Sequence, residues 1–268
     1  NRALRLGLIG LVSCVVGCAD NPVTGETELS LISRDQEIAM GREAAPEFEQ
    51  EFGGLVNDST LQSYMQQVGS TLAARSDRPD LPYEFRLLRS NTPNAFALPG
   101  GKIYITAGLF RHMENERQLA GVLGHEIGHV AAKHSVQQLQ NQMGASVLLQ
   151  VAQEVLGGGE KTQAAGKVAA GMVLLKYSRD DEYQADELGC KYMSRAGYNP
   201  YGMRGVLEYL ETLHDEEPST FDEMFQTHPL TKNRIEHVEE ILKTQYPNAN
   251  PDQPDPNAQR FLNMRSRL

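Results

Sequence analysis

Hydrophobic residues recur at helical spacing along most of this chain. A first helix is predicted from Ser33 to about Glu49, because Ser33 and Gln36 form a capping-box pattern with acidic residues in the first turn. A second is predicted by apolar side chains three and four residues apart, namely Leu61, Tyr64, Met65, Val68 and Leu72. Helices are again predicted from Asn115 onward.

Strand patterns occupy one short stretch between these helices. Residues 83–88 predict a strand, and residues 95–98 and 102–106 flank Pro99-Gly100-Gly101 as a predicted hairpin. A few strands among many helices predict an α+β fold, mainly helical with a small sheet. Residues 143–177 are rich in Ala, Gly, Val and Leu but broken by glycines at 157–159. They predict two buried helices, or alternatively a mobile element near the site, and no membrane-spanning helix.

The first residues of the chain are typical of a secretory signal. Arg2 and Arg5 precede an apolar run that ends at Gly17, too short to span a bilayer. The sequence before Cys18 resembles a bacterial lipoprotein signal, with Cys18 as the lipidated residue. Cys14 offers a second match after a shorter apolar stretch, and a cleaved signal with an incidental cysteine is the third interpretation.

The predicted organisation is a signal peptide at 1–17, a linker at 18–33, a domain at 34–245 and a proline-rich tail at 246–268. The 268 residues carry a formal charge of −10, which becomes −12 without residues 1–17. This acidity argues against nucleic acid as a partner. We expect a lipid-anchored, periplasm-facing envelope protein. The outer membrane is favoured because Ala19 follows Cys18 and Asp20 comes one place too late for an inner-membrane retention signal.

The chemistry of the chain concentrates in His125-Glu126-Ile127-Gly128-His129, a His-Glu-x-x-His motif. On a helix both imidazoles lie on one face, one turn apart, where they can chelate one ion. Zinc suits imidazole ligands, and Glu126 lies where it can take a proton from a metal-bound water. Glycines 121, 124 and 128 share another face of this helix, which predicts that a second backbone packs closely there.

A third metal ligand is needed. Ala132 and Ser135 stand where a metzincin has Gly and His, which excludes that class, and His134 lies off the chelating face as a solvated residue or a partner of a ligand. The candidates are downstream glutamates, namely Glu154, Glu160, Glu182 and Glu187. Glu182 is favoured because Asp186 follows four residues later, so one carboxylate can bind metal while the other orients an imidazole.

Residues 178–186, with the sequence Ser-Arg-Asp-Asp-Glu-Tyr-Gln-Ala-Asp, resemble the signature of the HtpX/CAAX-prenyl-protease-like zinc metallopeptidases, a gluzincin family. The stretches at 21–25, 94–97 and 227–229 are similar to further motifs of that family, in the same order. The resemblance spans about residues 21–242. It implies a zincin-like fold with the sheet beside the metal helix, one Zn²⁺ per chain, Glu182 as third ligand and Asp186 behind it.

The resemblance also implies roles near the metal. His228 is the candidate for stabilising the oxyanion; alternatively it plugs the fourth metal position, or caps the following helix. Asn94 is implied to bond the substrate backbone, and Ala95, Phe96 and Tyr104 are the other candidate substrate-binding residues. Residues 102–106 alternate and are predicted to pair with an extended peptide, although both strands can simply belong to the sheet.

The leading hypothesis is a zinc endopeptidase of the bacterial envelope that cleaves misfolded or misassembled proteins. Its partners are protein or peptide substrates and the membrane, through the N-terminal lipid. The alternative is a chaperone-like assembly factor whose zinc site is structural or plugged. The intact Glu126 argues against a purely structural site, because such sites are usually closed by four protein ligands. A zinc hydrolase of small substrates is a weaker third hypothesis.

Overall fold

The computed structural model describes residues 17–25, 27–144, 147–148, 150–151, 154, 176–216, 224–229 and 232–268. Two antiparallel strands begin this part, β1 (Gly17–Asp20) and β2 (Thr27–Ser30). Except for Gly17, the last residue of the predicted signal peptide, they lie in the stretch that the sequence assigns to a linker. Between these strands, the side chain of Asn21 accepts hydrogen bonds from the backbone of Val23 and Thr24, which stabilises a turn. Most of residues 143–177, and the apolar run of the predicted signal up to residue 16, lie outside the described residues.

Helices α1 (Arg34–Glu51) and α2 (Ser59–Ala73) confirm the first two predicted helices. The capping box is present at the start of α1, where Ser33 and Gln36 bond each other's backbone. The three strands that follow are β3 (Glu84–Leu88), β4 (Ala95–Leu98) and β5 (Lys102–Thr106). The later helices are α3 (Ala107–His112), α4 (Glu116–Ala131), α5 (His134–Met143), α6 (Arg179–Arg195), α7 (Tyr201–Glu216), α8 (Lys232–Gln245) and α9 (Ala258–Arg265). The architecture is therefore α+β, as predicted.

Strand β5 lies in the middle of the sheet, parallel to β3 and antiparallel to β4. The prediction that residues 102–106 receive a peptide by strand addition is therefore wrong, because both edges of β5 are already paired. The outer edge of β3 is also covered. Side-chain amides of Gln62 and Gln66 on α2 bond the backbone of Phe85 and Leu87 at 2.8–3.0 Å. Side-chain bonds of this kind block an edge to further strands. The other edge strand is β4, where the Ser135 hydroxyl donates a 3.5 Å hydrogen bond to the Ala97 carbonyl.

Helix α9 lies in the predicted tail and packs onto the main hydrophobic core. Phe261 is fully buried there against Phe110. Arg260 forms two 2.8 Å hydrogen bonds with the fully buried carboxylate of Glu116, at the start of α4. The last residues thus contact the helix that carries the metal motif. In the part of the chain that the structure describes, no helix has both the length and the apolar character needed to cross a bilayer.

Helix α4 runs along α6 at very short range, as its glycines predict. A Cβ atom added to Gly128 would lie 2.9 Å from the carbonyl oxygen of Ala185, and one added to Gly124 would lie 3.2 Å from that of Gly189. Both neighbours belong to α6. The glycines therefore set the distance between the helix with the two histidines and the helix with Glu182.

Gly128→Ala is expected to destabilise the fold by about 1–3 kcal/mol, because the new methyl group forces α4 and α6 apart. The same shift should weaken zinc binding. Chemical denaturation with chelator, followed by zinc titration, measures both effects. Gly205→Ala on α7 is the matched control, since no atom lies within 4 Å of its added Cβ, and it should be neutral or stabilising by about 0.5–1 kcal/mol. Equal losses in the two variants would contradict the close-packing argument.

Candidate metal centre

Helix α4 presents the two histidines of the motif on one face, as the spacing predicts. Asn115 caps the start of the helix, since its side chain accepts a 3.0 Å hydrogen bond from the backbone of Gln118. One turn separates His125 from His129, and their Nε2 atoms lie 3.0 Å apart. Both side chains are buried. Two imidazole nitrogens this close, both aimed at the same point, are suited to sharing one metal ion.

Glu182 completes a three-sided cluster from the first turn of α6. Its Oε1 lies 3.3 Å from His129 Nε2, and its Oε2 lies 3.6 Å from His125 Nε2. The carboxylate has no exposed surface. Glu187, another candidate from the sequence, instead bonds Gln245, and Glu160 lies outside the described residues. The structure thus brings Glu182 to the two histidines.

His228 also lies in this cluster, contributed by the segment before α8. Its Nδ1 is 3.0 Å from Glu182 Oε1 and 3.3 Å from His125 Nε2. One ligand atom from each of His125, His129, Glu182 and His228 lies within 4.8 Å of the others. Three histidines and one glutamate are a donor set that a borderline metal such as zinc accepts.

Asp186 holds His125 from behind, as the sequence reasoning expects. Its Oδ1 accepts a 2.8 Å hydrogen bond from His125 Nδ1, which leaves Nε2 free for a metal. Arg234 on α8 donates two 2.8 Å hydrogen bonds to the same carboxylate. The Nη1 atom of Arg234 also lies 2.5 Å from Glu182 Oε2 and bonds the Pro229 carbonyl at 3.2 Å. One buried guanidinium therefore joins both carboxylates and the segment carrying His228.

His129 is oriented by a second chain of hydrogen bonds. Its Nδ1 lies 2.9 Å from His134 Nδ1, and His134 Nε2 lies 2.8 Å from Gln184 Oε1. Because Gln184 Oε1 accepts, His134 carries its proton on Nε2 and accepts at Nδ1 from His129. That arrangement leaves His129 Nε2 free of its proton and able to bind a metal.

His134→Ala is expected to weaken zinc binding about 10- to 100-fold, because His129 loses the partner that fixes its tautomer. Competition with a chromophoric chelator measures the change. His237→Ala is the control, since His237 packs on Tyr183 and not on the cluster, and its zinc affinity should stay within twofold of the parent. Unchanged affinity in the His134 variant would contradict the proposed orientation of His129.

The surroundings push the pKa values of two buried glutamates in opposite directions. Burial raises the pKa of Glu126 above its ordinary value. Burial also acts on Glu182, but Arg234 and His228 hold the pKa of that carboxyl well below its ordinary value. These opposite pKa shifts suit the two carboxylates to different roles. Glu182 stays anionic, as a metal ligand must, whereas Glu126 exchanges a proton more readily near neutral pH.

Glu126 itself shows that the cluster is built for more than packing. Its Oε2 is buried and has no hydrogen-bond partner in the structure, a costly state for a carboxylate oxygen. His228 Nε2 lies 3.8 Å from its other oxygen. A water bound at a metal held by the cluster would supply the missing partner, so these residues fit a metal with a bound water.

The four predicted substrate-binding residues lie in two places. Ala95 borders the same cavity as His125 and Glu126, and buried Asn94 precedes it at the start of β4. The ring of Phe96 stacks on Tyr104 instead. The interpretation of Tyr104 as a substrate contact is wrong, because the side chain is 1% exposed and its hydroxyl bonds Glu49.

Sequence reasoning missed Arg234 and Gln184. Gln184 lies within the recognised signature at 178–186, so its position between Glu182 and Asp186 was a usable signal. Arg234 lies six residues after His228 in a helix with other charged residues. The one available signal was indirect: two buried carboxylates one turn apart require a cation.

Known proteins resemble this chain over most of its length. Residues 59–242 match the model of peptidase family M48. The beta-barrel assembly-enhancing protease of Escherichia coli (strain K12) is 30% identical over 233 residues, 80% of this chain and 45% of that protein. The mitochondrial metalloendopeptidase OMA1 of Schizosaccharomyces pombe is 31% identical over 227 residues, 82% of this chain and 65% of the relative. The metalloprotease YcaL of Escherichia coli (strain K12) is 30% identical over 167 residues, 60% and 63% of the two chains.

The chain thus spans less than half the length of the beta-barrel assembly-enhancing protease. The family match nevertheless includes α4 and α6, which carry His125, His129 and Glu182. Since the matched region covers more than half of the sequence, this chain belongs to peptidase family M48.

Proposed function

We propose that this protein is a zinc-dependent endopeptidase of the bacterial cell envelope, acting on misfolded or misassembled proteins. The observation that carries the proposal is the buried, unpartnered Oε2 of Glu126 beside four converging ligand atoms. A structural zinc site, closed by four protein ligands, does not need an additional carboxylate of this kind. This geometry supports a peptidase over the chaperone-like alternative.

His125, His129 and Glu182 would hold the zinc ion. When bound, zinc polarises the scissile carbonyl and lowers the pKa of water toward 7. Glu126 takes the proton of the attacking water and delivers it to the leaving amine. Its raised pKa favours the first step, because a carboxylate with a higher pKa is a stronger base, and burial is the cause of that shift.

His228 is proposed as a catalytic residue. Its Nε2 lies 3.8 Å from Glu126 Oε1, where an N–H group can stabilise the oxyanion of the scissile carbonyl. Neighbouring Glu182 and Glu126 outweigh the effect of burial and raise the pKa of His228, which favours the donating form. Because the His228→Ala variant lacks this hydrogen-bond donor, its kcat should be about 10²- to 10³-fold lower than that of the parent. The alternative interpretation, in which His228 plugs the fourth metal position, predicts the opposite result: His228→Ala would cleave faster than the parent.

Strand β4 is proposed as the binding edge for the substrate backbone. It is the edge of the three-stranded sheet that the side chains of α2 do not cover, and a peptide there would replace the 3.5 Å hydrogen bond from the Ser135 hydroxyl to the Ala97 carbonyl. Ala95 of β4 borders the cavity that contains Glu126. A peptide added antiparallel to β4 would therefore bring its carbonyl groups past the metal centre.

The place of action is proposed from the N-terminal sequence. A lipid on Cys18 would anchor the chain at the envelope, facing the periplasm, with the outer membrane favoured. The relative named beta-barrel assembly-enhancing protease supports a role near envelope proteins. Labelled palmitate should be incorporated into the full chain and lost in Cys18→Ser. Incorporation that persists in Cys18→Ser would instead indicate Cys14.

The activity is tested with purified protein and unfolded casein. We expect cleavage that stops with 1,10-phenanthroline and returns when zinc is added in slight excess. A stable, folded globular protein, used as the control substrate in place of casein, should remain intact. Cleavage that continues in chelator, with zinc removal verified by metal analysis, would contradict the proposal.

A further inference from the structure

A buried tyrosine lies against the metal cluster. Tyr177 comes directly before Ser178, the cap of α6, and its side chain has almost no exposed surface. Its ring is stacked on the imidazole of His129, with ring centres 3.9 Å apart and an angle of 23° between the two planes. The ring centre of His228 lies 5.0 Å from the same tyrosine. Tyr177 therefore contacts both a proposed metal ligand and the proposed oxyanion donor.

The stacked ring restrains His129 in a direction that its hydrogen bond leaves free. The bond from His129 Nδ1 to His134 fixes the tautomer, but an imidazole held at one nitrogen can still turn about that bond. The lone pair of Nε2 lies in the plane of the ring, so a turned ring no longer directs it at the metal. A flat ring at 3.9 Å prevents this turn, because a tilted imidazole would collide with it.

Tyr177 is itself held by two other segments of the chain. Its hydroxyl lies 2.9 Å from Ser135 Oγ on α5, and Ser135 donates to the Ala97 carbonyl of β4 at 3.5 Å. Because a carbonyl oxygen only accepts, the Ser135 proton is used there, and Tyr177 donates to Ser135. The backbone N–H of Tyr177 donates to the Thr227 carbonyl at 3.1 Å. The position of the ring is thus fixed at both ends.

We propose that Tyr177 is a positioning residue for the metal centre, whose flat ring holds the His129 imidazole in the plane that directs Nε2 at the ion. The inference rests on the proposed metal site and adds a requirement beyond the ligands themselves. An aromatic ring is needed at position 177, whereas an aliphatic side chain of similar bulk lacks the flat face.

The test compares Tyr177→Leu with Tyr177→Phe in the full chain. Leucine removes the flat face, so zinc affinity, measured by competition with a chromophoric chelator, should fall about 10- to 100-fold. Phenylalanine keeps the ring, so affinity should stay within about threefold of the parent. Cobalt(II) bound in place of zinc reports ligand geometry by its visible absorption. That spectrum should change in Tyr177→Leu and match the parent in Tyr177→Phe.

Tyr192→Leu is the matched control for lost packing. Tyr192 is fully buried on α6, ten residues beyond Glu182 and roughly 15 Å farther along the helix, and its hydroxyl bonds Asp77 at 3.0 Å. The variant should lose stability in urea but keep the parent's zinc affinity within about twofold and its cobalt spectrum. Equal losses of affinity in Tyr177→Leu and Tyr192→Leu would overturn the inference, since general destabilisation would then explain both.

Tyr177→Met keeps the test open if the leucine variant does not fold. Methionine fills irregular space with flexible atoms and has no flat face, so it should also weaken zinc binding at least 10-fold and change the cobalt spectrum. Parent-like affinity and spectrum in a folded Tyr177→Leu or Tyr177→Met protein would overturn the inference.

Metal binding separates this inference from the proposed activity. If the parent binds zinc and cobalt but leaves casein intact, the peptidase is contradicted, while a loss in Tyr177→Leu that Tyr177→Phe restores still supports the positioning role. If the parent cleaves casein and Tyr177→Leu binds metal like the parent, the inference alone is overturned. A parent that binds neither metal would overturn the proposed metal site and the inference together.

Discussion

Glu126→Gln is expected to lower kcat on unfolded casein on the order of 10³-fold, the scale of a lost general base. The amide keeps the shape of the side chain but cannot take a proton from the attacking water. Zinc should still bind with the parent affinity, because His125, His129 and Glu182 supply the ligands. Initial rates with and without added zinc, and metal content after dialysis, measure the two effects separately.

Glu47→Gln is the matched control, because Glu47 lies exposed on α1. Its rate should equal that of the parent. If the Glu126 variant retained more than a tenth of the parent kcat with a full zinc complement, Glu126 would not be the base. A large loss accompanied by lost zinc would mean that the carboxylate is needed to build the site.

The parts of the site predicted from sequence are those whose geometry is local. A spacing of four residues on one helix fixes the relation between His125 and His129 regardless of the rest of the fold. The same argument relates Glu182 to Asp186 on α6. The capping box predicted at Ser33 is also local, and it forms in the structure.

What sequence alone could not give depends on contacts between distant segments. Residues 102–106 look like any alternating strand, and only the pairing with β3 and β4 makes β5 central. Similarly, Gln62 and Gln66 are ordinary polar positions of α2 until β3 packs beside them. Helix α9 follows a proline-rich stretch, and its contact with α4 is visible only in the structure, where Arg260 bonds Glu116.

Arg234 is the clearest case of a residue whose role is invisible locally, and its replacement should have a large effect. In the zinc-free protein, Arg234→Met should lower the free energy of unfolding at pH 7 by about 3–5 kcal/mol, the cost of breaking a buried ion pair. Methionine keeps much of the aliphatic stem but leaves the carboxylates of Glu182 and Asp186 without their cation. Urea denaturation between pH 3 and 8, with chelator, measures the difference.

The pH dependence identifies the cause. Burial alone would raise the pKa values of Glu182 and Asp186, but Arg234 outweighs it and holds both pKa values below their ordinary values in the folded parent. Each group therefore stabilises the parent above the unfolded carboxyl pKa of about 4, and this contribution is lost as pH falls through the lower folded pKa. Arg234→Met lacks this contribution. The difference in free energy of unfolding between the two proteins should therefore be largest near neutral pH and should narrow below about pH 4.

A surface arginine provides the control for this experiment. Arg204 on α7 pairs with Glu208 and Glu239 at 2.8 and 3.2 Å, but its side chain is 34% exposed. Arg204→Met should therefore cost less than about 1 kcal/mol at every pH, as exposed ion pairs do. If Arg234→Met lost the same free energy at pH 3 as at pH 7, lost packing and not lost charge would explain the effect. A gap that closes in acid would show that one buried cation holds two carboxylates ionised at the metal centre, which is the condition for Glu182 to act as a ligand.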